Sequence, residues 1–143
     1  MFAKTNTKIE LLRTVPLFAG CTNAELAQIA SLVDEVEVPA GRTLISEGSS
    51  GHECFVVADG IATASLRGER IATYDAGAIF GEMALLDNEP RSATVVSDTP
   101  MRLLVLDRRR FASLLSNNRS VARKVLRVLV ERLRRTENAP VWT

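Results

Sequence analysis

Between residues 35 and 106 the chain keeps breaking short runs of Val, Ile, Leu and Thr with glycine or proline, and this punctuation limits the fold more than any other feature. Pro39-Ala40-Gly41, Gly48, Gly51, Asp59-Gly60, Gly68, Gly77 and Pro100 each stop a run before it reaches helical length. The runs that remain are 35–38, 43–46, 54–58, 61–66, 70–74, 78–80, 92–97 and 101–106. Short strands with turns this regular predict a mainly β domain, an eight-stranded β-roll or jelly roll. Asp59-Gly60, between Phe55-Val56-Val57 and Ile61-Ala62-Thr63, reads as a two-residue hairpin, and Gly68 marks another turn. Hydrophobic residues make up 46% of the chain but aromatic ones only 5%, so the core must come mostly from Val, Leu, Ile and Ala.

Helical periodicity flanks this region on both sides. Ile9, Leu12 and Val15 recur at three-residue spacing up to Pro16. Thr22 and Glu25 have the spacing of a capping box, ahead of an apolar face of Leu26, Ile29, Ala30 and Val33. Leu17 and Phe18 between them read as core anchors. On the C-terminal side Asp107 is a candidate N-cap for a helix over Arg108–Leu115 that ends at Asn117-Asn118. A longer helix follows, with Val121, Val125, Val128, Leu129 and Leu133 on one face. Its other positions carry Arg119, Arg123, Lys124, Arg127, Arg132, Arg134 and Arg135 against one acid, Glu131. The expected organisation is one domain over 1–135, with helices in 8–33, the β-roll in 35–106, a helix pair in 108–135 and a flexible tail over 136–143.

Several function classes fall away on composition. Lys plus Arg is 18 and Asp plus Glu is 17, so the surface as a whole is not built to grip nucleic acid. Two cysteines, Cys21 and Cys54, form neither a disulfide framework nor a CxxC pair. His52 is the one histidine, too few for the usual catalytic metal sites, and it reads as solvated. No apolar run approaches the roughly 20 residues of a membrane span, and the N-terminus lacks the apolar stretch of a secretory signal. The expectation is a cytoplasmic domain with no metal and no cofactor.

Chemistry concentrates in Gly77-Ala78-Ile79-Phe80-Gly81-Glu82-Met83-Ala84-Leu85-Leu86, continued by Asp87-Asn88-Glu89-Pro90-Arg91-Ser92-Ala93-Thr94-Val95. A short helix-forming piece from Glu82 to Leu86 interrupts the strands. Gly81 lets backbone approach a ligand closely, and the N–H groups at the start of such a turn favour an anion. Arg91, beyond the Pro90 turn, can swing back to the same place and complete a phosphate site. Glu82 would repel bare phosphate, but it suits a ligand that also presents hydroxyl donors, as a ribose does.

Phe80-Gly81-Glu82-Met83-Ala84-Leu85 followed by Pro90-Arg91-Ser92-Ala93-Thr94 closely resembles the phosphate-binding cassette of cyclic-nucleotide-binding domains. That family includes the regulatory subunits of cyclic-AMP-dependent kinase, the bacterial catabolite activator protein and cyclic-nucleotide-gated channels. Gly41, Glu47-Gly48, Gly51, Phe55 and Gly60 match its glycine pattern, and the resemblance covers residues 9–135. It implies that Glu82 binds the ribose 2′-hydroxyl with help from the Gly81 backbone. It also implies that Arg91 pairs with the cyclic phosphate, and that Ala84 and Ser92, within a cassette that includes Met83, complete the cradle. The purine is expected in a β-lined groove under the C-terminal helix, whose Arg132 or Leu133 would cap it. Ser92 after the arginine, where cyclic-GMP-binding relatives often have Thr, leans toward 3′,5′-cyclic AMP over cyclic GMP.

The resulting expectation is a stand-alone cyclic-nucleotide receptor that repositions its last helix on binding and signals to an effector protein, as a monomer or a homodimer. The alternative is a ligand-independent interaction module on the same fold. A sequence-specific DNA reader is not expected, because only residues 136–143 follow the long helix. An enzyme is not expected either, since no His cluster or nucleophile–base pair is evident. The basic helix face reads as solvated, with an acidic partner or anionic surface as the alternatives.

Overall fold

The computed structural model describes residues 5–137, and the punctuated middle of the chain folds into eight strands in two four-stranded antiparallel sheets. The strands are β1 (Asp34–Val38), β2 (Thr43–Ile45), β3 (Glu53–Asp59), β4 (Ala62–Leu66), β5 (Glu69–Tyr74), β6 (Ile79–Phe80), β7 (Thr94–Ser97) and β8 (Met101–Asp107). One sheet has the order β1-β8-β3-β6 and the other β2-β7-β4-β5. The expected β-roll is therefore present, with bounds within two residues of those read from the sequence. The helices are α1 (Thr5–Arg13), α2 (Asn23–Ala30), α3 (Arg108–Asn117) and α4 (Arg119–Glu137), with 3-10 turns at Pro16–Phe18 and Glu82–Leu85.

Strands β3 and β8 are apolar on both faces because both faces are covered. Phe55, Val57, Leu103 and Val105 point between the sheets, where they meet Val38, Ile45, Ala64 and Val95. Their neighbours Cys54, Val56, Leu104 and Leu106 point the other way, into a second core built by the helices around Leu12, Leu17, Phe18, Ile29 and Phe111. Period-two alternation thus feeds two cores from one sheet. The caps form as expected: Thr22 Oγ1 and Glu25 exchange hydrogen bonds with each other's backbone N–H, and the Asp107 carboxylate accepts from the Arg109 and Arg110 amides.

Asp59-Gly60 does not make a hairpin. β3 pairs with β6 and β8, whereas β4 pairs with β5 and β7, so the chain crosses here from one sheet to the other. Gly60 is required for a different reason. Its φ is +99°, and a Cβ there would lie 2.5 Å from the Pro100 carbonyl oxygen. The Gly68 turn does join paired strands, with Arg67 and Gly68 both left-handed. α4 runs to Glu137, two residues into the stretch expected as tail, while 138–143 lie outside the described residues. Its proposed single apolar face divides: Val121 and Val125 are buried, but Leu133 is 60% exposed, because the helix outruns the core beneath it.

Candidate functional site

Strand β6 ends in Phe80, a buried ring stacked between Phe55 (5.1 Å) and Tyr74 (5.0 Å). Gly81 follows with φ +74°. A Cβ there would approach Arg91 Nη1 at 2.9 Å, Ile45 at 3.1 Å and the Glu53 carbonyl at 3.2 Å. Glycine is needed both for the turn and for the space. The chain then enters the 3-10 turn Glu82–Leu85, anchored by buried Ala84 and Leu85. The Ala84 N–H donates to the Gly81 carbonyl at 3.1 Å, leaving the Glu82 and Met83 amides as the leading donors of the turn.

Arg91 is held from its backbone outward. Its N–H donates to the Ser49 carbonyl and its own carbonyl accepts from the Gly48 N–H, both at 2.8 Å. Its guanidinium lies on Gly51, where a Cβ would be 2.1 Å from Nε, and donates to the carbonyls of Glu53 (2.7 Å) and Gly81 (3.4 Å). Both side-chain acceptors are neutral oxygens, and among the described residues no carboxylate lies within ion-pair distance of it. Burial pulls the Arg91 pKa down, opposed by the charge of Glu53, yet an arginine stays protonated at neutral pH. A partly buried cation whose charge is not matched by a carboxylate favours an anionic ligand.

Arg91 and Ser92 face Gly81, Glu82, Met83 and Ala84 across a cavity of about 410 Å³, in the range that holds small-molecule ligands. The six cassette residues singled out from the sequence are thus brought to one place. Ser92 precedes β7 rather than starting it, so it belongs to the loop. Neither of the two expected capping residues lines the cavity: Arg132 reaches its edge through Glu82, and Leu133 is exposed. Arg132 contacts Glu82, with Nη1 3.0 Å from Oε1 and Nη2 3.4 Å from Oε2.

Other participants were not singled out from the sequence. Tyr74, Ile45 and Val95 supply the apolar side of the cavity, and Gly51 and the Glu53 carbonyl seat Arg91. Gly51 was noted as punctuation, but only its distance to Arg91 gives it this role. His52 is exposed yet engaged: its carbonyl accepts from the Arg108 N–H at 2.7 Å and its Nδ1 lies 2.8 Å from Arg108 Nη2. Cys54, beneath the site, has its thiol pKa pushed up to about 12 by burial and the charge of Glu82, so it behaves as a small apolar residue.

Comparison with known proteins agrees with this arrangement. The family model described as cyclic nucleotide-binding domain matches residues 35–118. The cAMP-dependent protein kinase regulatory subunit of Neurospora crassa is 33% identical over 132 residues, which is 91% of this chain and 34% of that protein. A CRP-like cAMP-activated global transcriptional regulator of Mycobacterium tuberculosis is 28% identical over 90% of this chain and 60% of its own length. The chain thus spans about a third of the kinase subunit it matches. The solved N-terminal domain of a transcriptional regulator from Streptomyces coelicolor aligns with a TM-score of 0.85 and 31% identity, covering 90% of this chain and 96% of that one. With eight strands, two sheets, the cassette geometry and a family match over most of the β-roll, the chain belongs to the cyclic nucleotide-binding domain family.

Proposed function

We propose that the chain is a regulatory receptor module for a cyclic nucleotide, with 3′,5′-cyclic AMP preferred over cyclic GMP. The observation that carries this is the Arg91 guanidinium, seated on Gly51 by neutral carbonyls and facing Glu82 across one cavity. The cyclic phosphate monoanion supplies Arg91 with its counter-charge, aided by the amides at the start of the Glu82–Leu85 turn and by Ser92. Glu82 accepts from the ribose 2′-hydroxyl. The purine lies against the apolar side formed by Tyr74, Ile45 and Val95. The names of the matched kinase subunits and of the CRP-like regulator support a cyclic-AMP ligand and a regulatory rather than catalytic role.

Binding does its work through α4, whose far end reaches the site at Glu82. A ligand that prefers one position of this helix shifts the population toward it and so presents a changed surface to an effector protein. We place the module in the cytoplasm, as a monomer or homodimer that needs neither metal nor cofactor. No helix among the described residues is long and apolar enough to cross a membrane.

Isothermal titration of the wild type and Arg91→Ala with both nucleotides tests the reading. The wild type should bind cyclic AMP more tightly than cyclic GMP. The variant should lose more than tenfold in affinity, since truncating one partner of a buried charge pair costs about 2–5 kcal/mol. Unchanged affinity in the variant overturns the proposal.

A further inference from the structure

We propose that Arg108, the first residue of α3, is a positioning residue for nucleotide binding: its guanidinium bridges His52 and the Asp87 carbonyl and so fixes the seat of Arg91 relative to the cassette turn. This rests on the reading of the Arg91 cavity as the nucleotide site. Arg108 does not line that cavity. It lies in a second one of about 620 Å³, shared with His52, Leu85 and Leu86. There its Nη1 donates to the Asp87 carbonyl at 2.6 Å, and its Nη2 lies 2.8 Å from His52 Nδ1. Asp87 closes the turn, its N–H donating to the Met83 carbonyl, and it lines the nucleotide cavity shortly before Arg91. His52 stands between Gly51, on which the Arg91 guanidinium rests, and Glu53, whose carbonyl that guanidinium binds. One side chain thus spans the two supports of the phosphate site.

A guanidinium carries donors only, so His52 Nδ1 must accept, which leaves the ring neutral with its proton on Nε2. A second ring proton removes that acceptor and sets two cations 2.8 Å apart. The other charged groups around the ring do not replace the bond. The Asp107 carboxylate accepts from the Arg109 and Arg110 amides, Arg110 pairs with Asp34, and the Asp87 carboxylate accepts from the Glu89 N–H. Arg109 shares the cavity and adds to the repulsion, while the charge of Glu53 bears on Arg91. The backbone here does not depend on the Arg108 side chain. The Arg108 N–H donates to the His52 carbonyl at 2.7 Å, and Cys54 pairs with Leu106 where β3 meets β8. Removing the guanidinium therefore takes away the brace and leaves the fold's own ties.

The full chain is compared with its Arg108→Ala, His52→Ala and His52→Asn variants by calorimetric titration with cyclic AMP, beside melting curves. At neutral pH Arg108→Ala should bind about three- to tenfold more weakly, the worth of one hydrogen bond, with a melting midpoint within a few degrees of the wild type. His52→Ala should weaken binding in the same direction. Both His52 variants keep Arg108, so they carry the test should Arg108→Ala not fold. His52→Asn, whose side-chain oxygen can accept the same bond but takes up no proton, should keep the wild-type affinity. Histidine ordinarily changes charge between about pH 5 and 8, so lowering the pH to about 5.5 should weaken the wild type by a similar factor and leave His52→Asn unchanged. Wild-type affinity in Arg108→Ala or in His52→Ala overturns the brace, and so do parallel pH profiles for the wild type and His52→Asn. A wild type that binds no cyclic nucleotide at either pH overturns the reading of the cavity itself, and the brace with it.

Discussion

At the scale of single residues, the site depends on how closely its parts approach one another. Gly51 shows this without belonging to the cavity's own lining. Its backbone is not in the left-handed region, so alanine meets no backbone penalty there, but the new Cβ would fall 2.1 Å from Arg91 Nε. The atoms that must yield are the mobile end of one side chain. Gly51→Ala should therefore weaken cyclic-nucleotide binding at least tenfold by unseating the guanidinium, while the thermal midpoint falls by no more than a few degrees. Titration calorimetry beside a melting curve checks both halves of this expectation. Wild-type affinity would show that Arg91 reaches its ligand from another position. Gly81→Ala should be harsher on the fold, because its φ of +74° and its contact with the Glu53 carbonyl oppose any side chain.

At the scale of elements, the helices are tied together by a buried carboxylate. Glu25, in the first turn of α2, is 8% exposed and pairs with Lys124 of α4, Nζ to Oε1 at 2.5 Å. The bonds from Lys124, then Ser120, then the Thr22 amide hold its pKa down from 4.5 to about 2. The folded state thus favours the charged carboxylate. The stability this contributes is fully present above pH 4.5 and is lost as the pH falls toward 2. Thermal midpoints should drop between pH 5 and pH 2 in the wild type and drop less in Glu25→Gln, which starts from a lower value at pH 7. Parallel pH profiles for the two proteins would remove Glu25 as the source of the acid sensitivity. The same tie fixes the root of α4, and Val128 and Leu129 still pack on the core, so the motion proposed for that helix belongs to the turns beyond Leu129.

At the scale of the whole molecule, ligand binding and folding are linked. The cavity draws on both sheets, with Phe80 from one and Tyr74, Ile45 and Val95 from the other, so unfolding either sheet destroys it. A nucleotide at a hundred times its Kd should add about 2.7 kcal/mol to stability. For a domain of this length that raises the melting midpoint by roughly 5–10 °C. Differential scanning fluorimetry should show the shift with cyclic AMP in the wild type and little or none in Arg91→Ala at the same concentration. An equal shift in both proteins would place the stabilising site elsewhere.

What the sequence determined by itself is whatever short-range rules control. The strands were legible because glycine and proline bound them, and the caps because Thr22 and Glu25, or Asp107 and the amides just after it, sit within one helical turn. The cassette was legible because Gly81, Glu82, Arg91 and Ser92 lie in one short unbroken stretch. Strand partnership was not: Asp59-Gly60 carries the local signature of a hairpin, and only the packing of the Pro100 connection against Gly60 assigns its flanking strands to different sheets. Seating Arg91 on Gly51, bringing Tyr74 to the cavity and setting Arg132 on Glu82 join residues 40, 17 and 50 positions apart in sequence, counted from Arg91, Arg91 and Glu82. No periodicity spans such separations. Those contacts exist because two sheets and a helix pair close on shared cores, and that closure is decided by the chain as a whole.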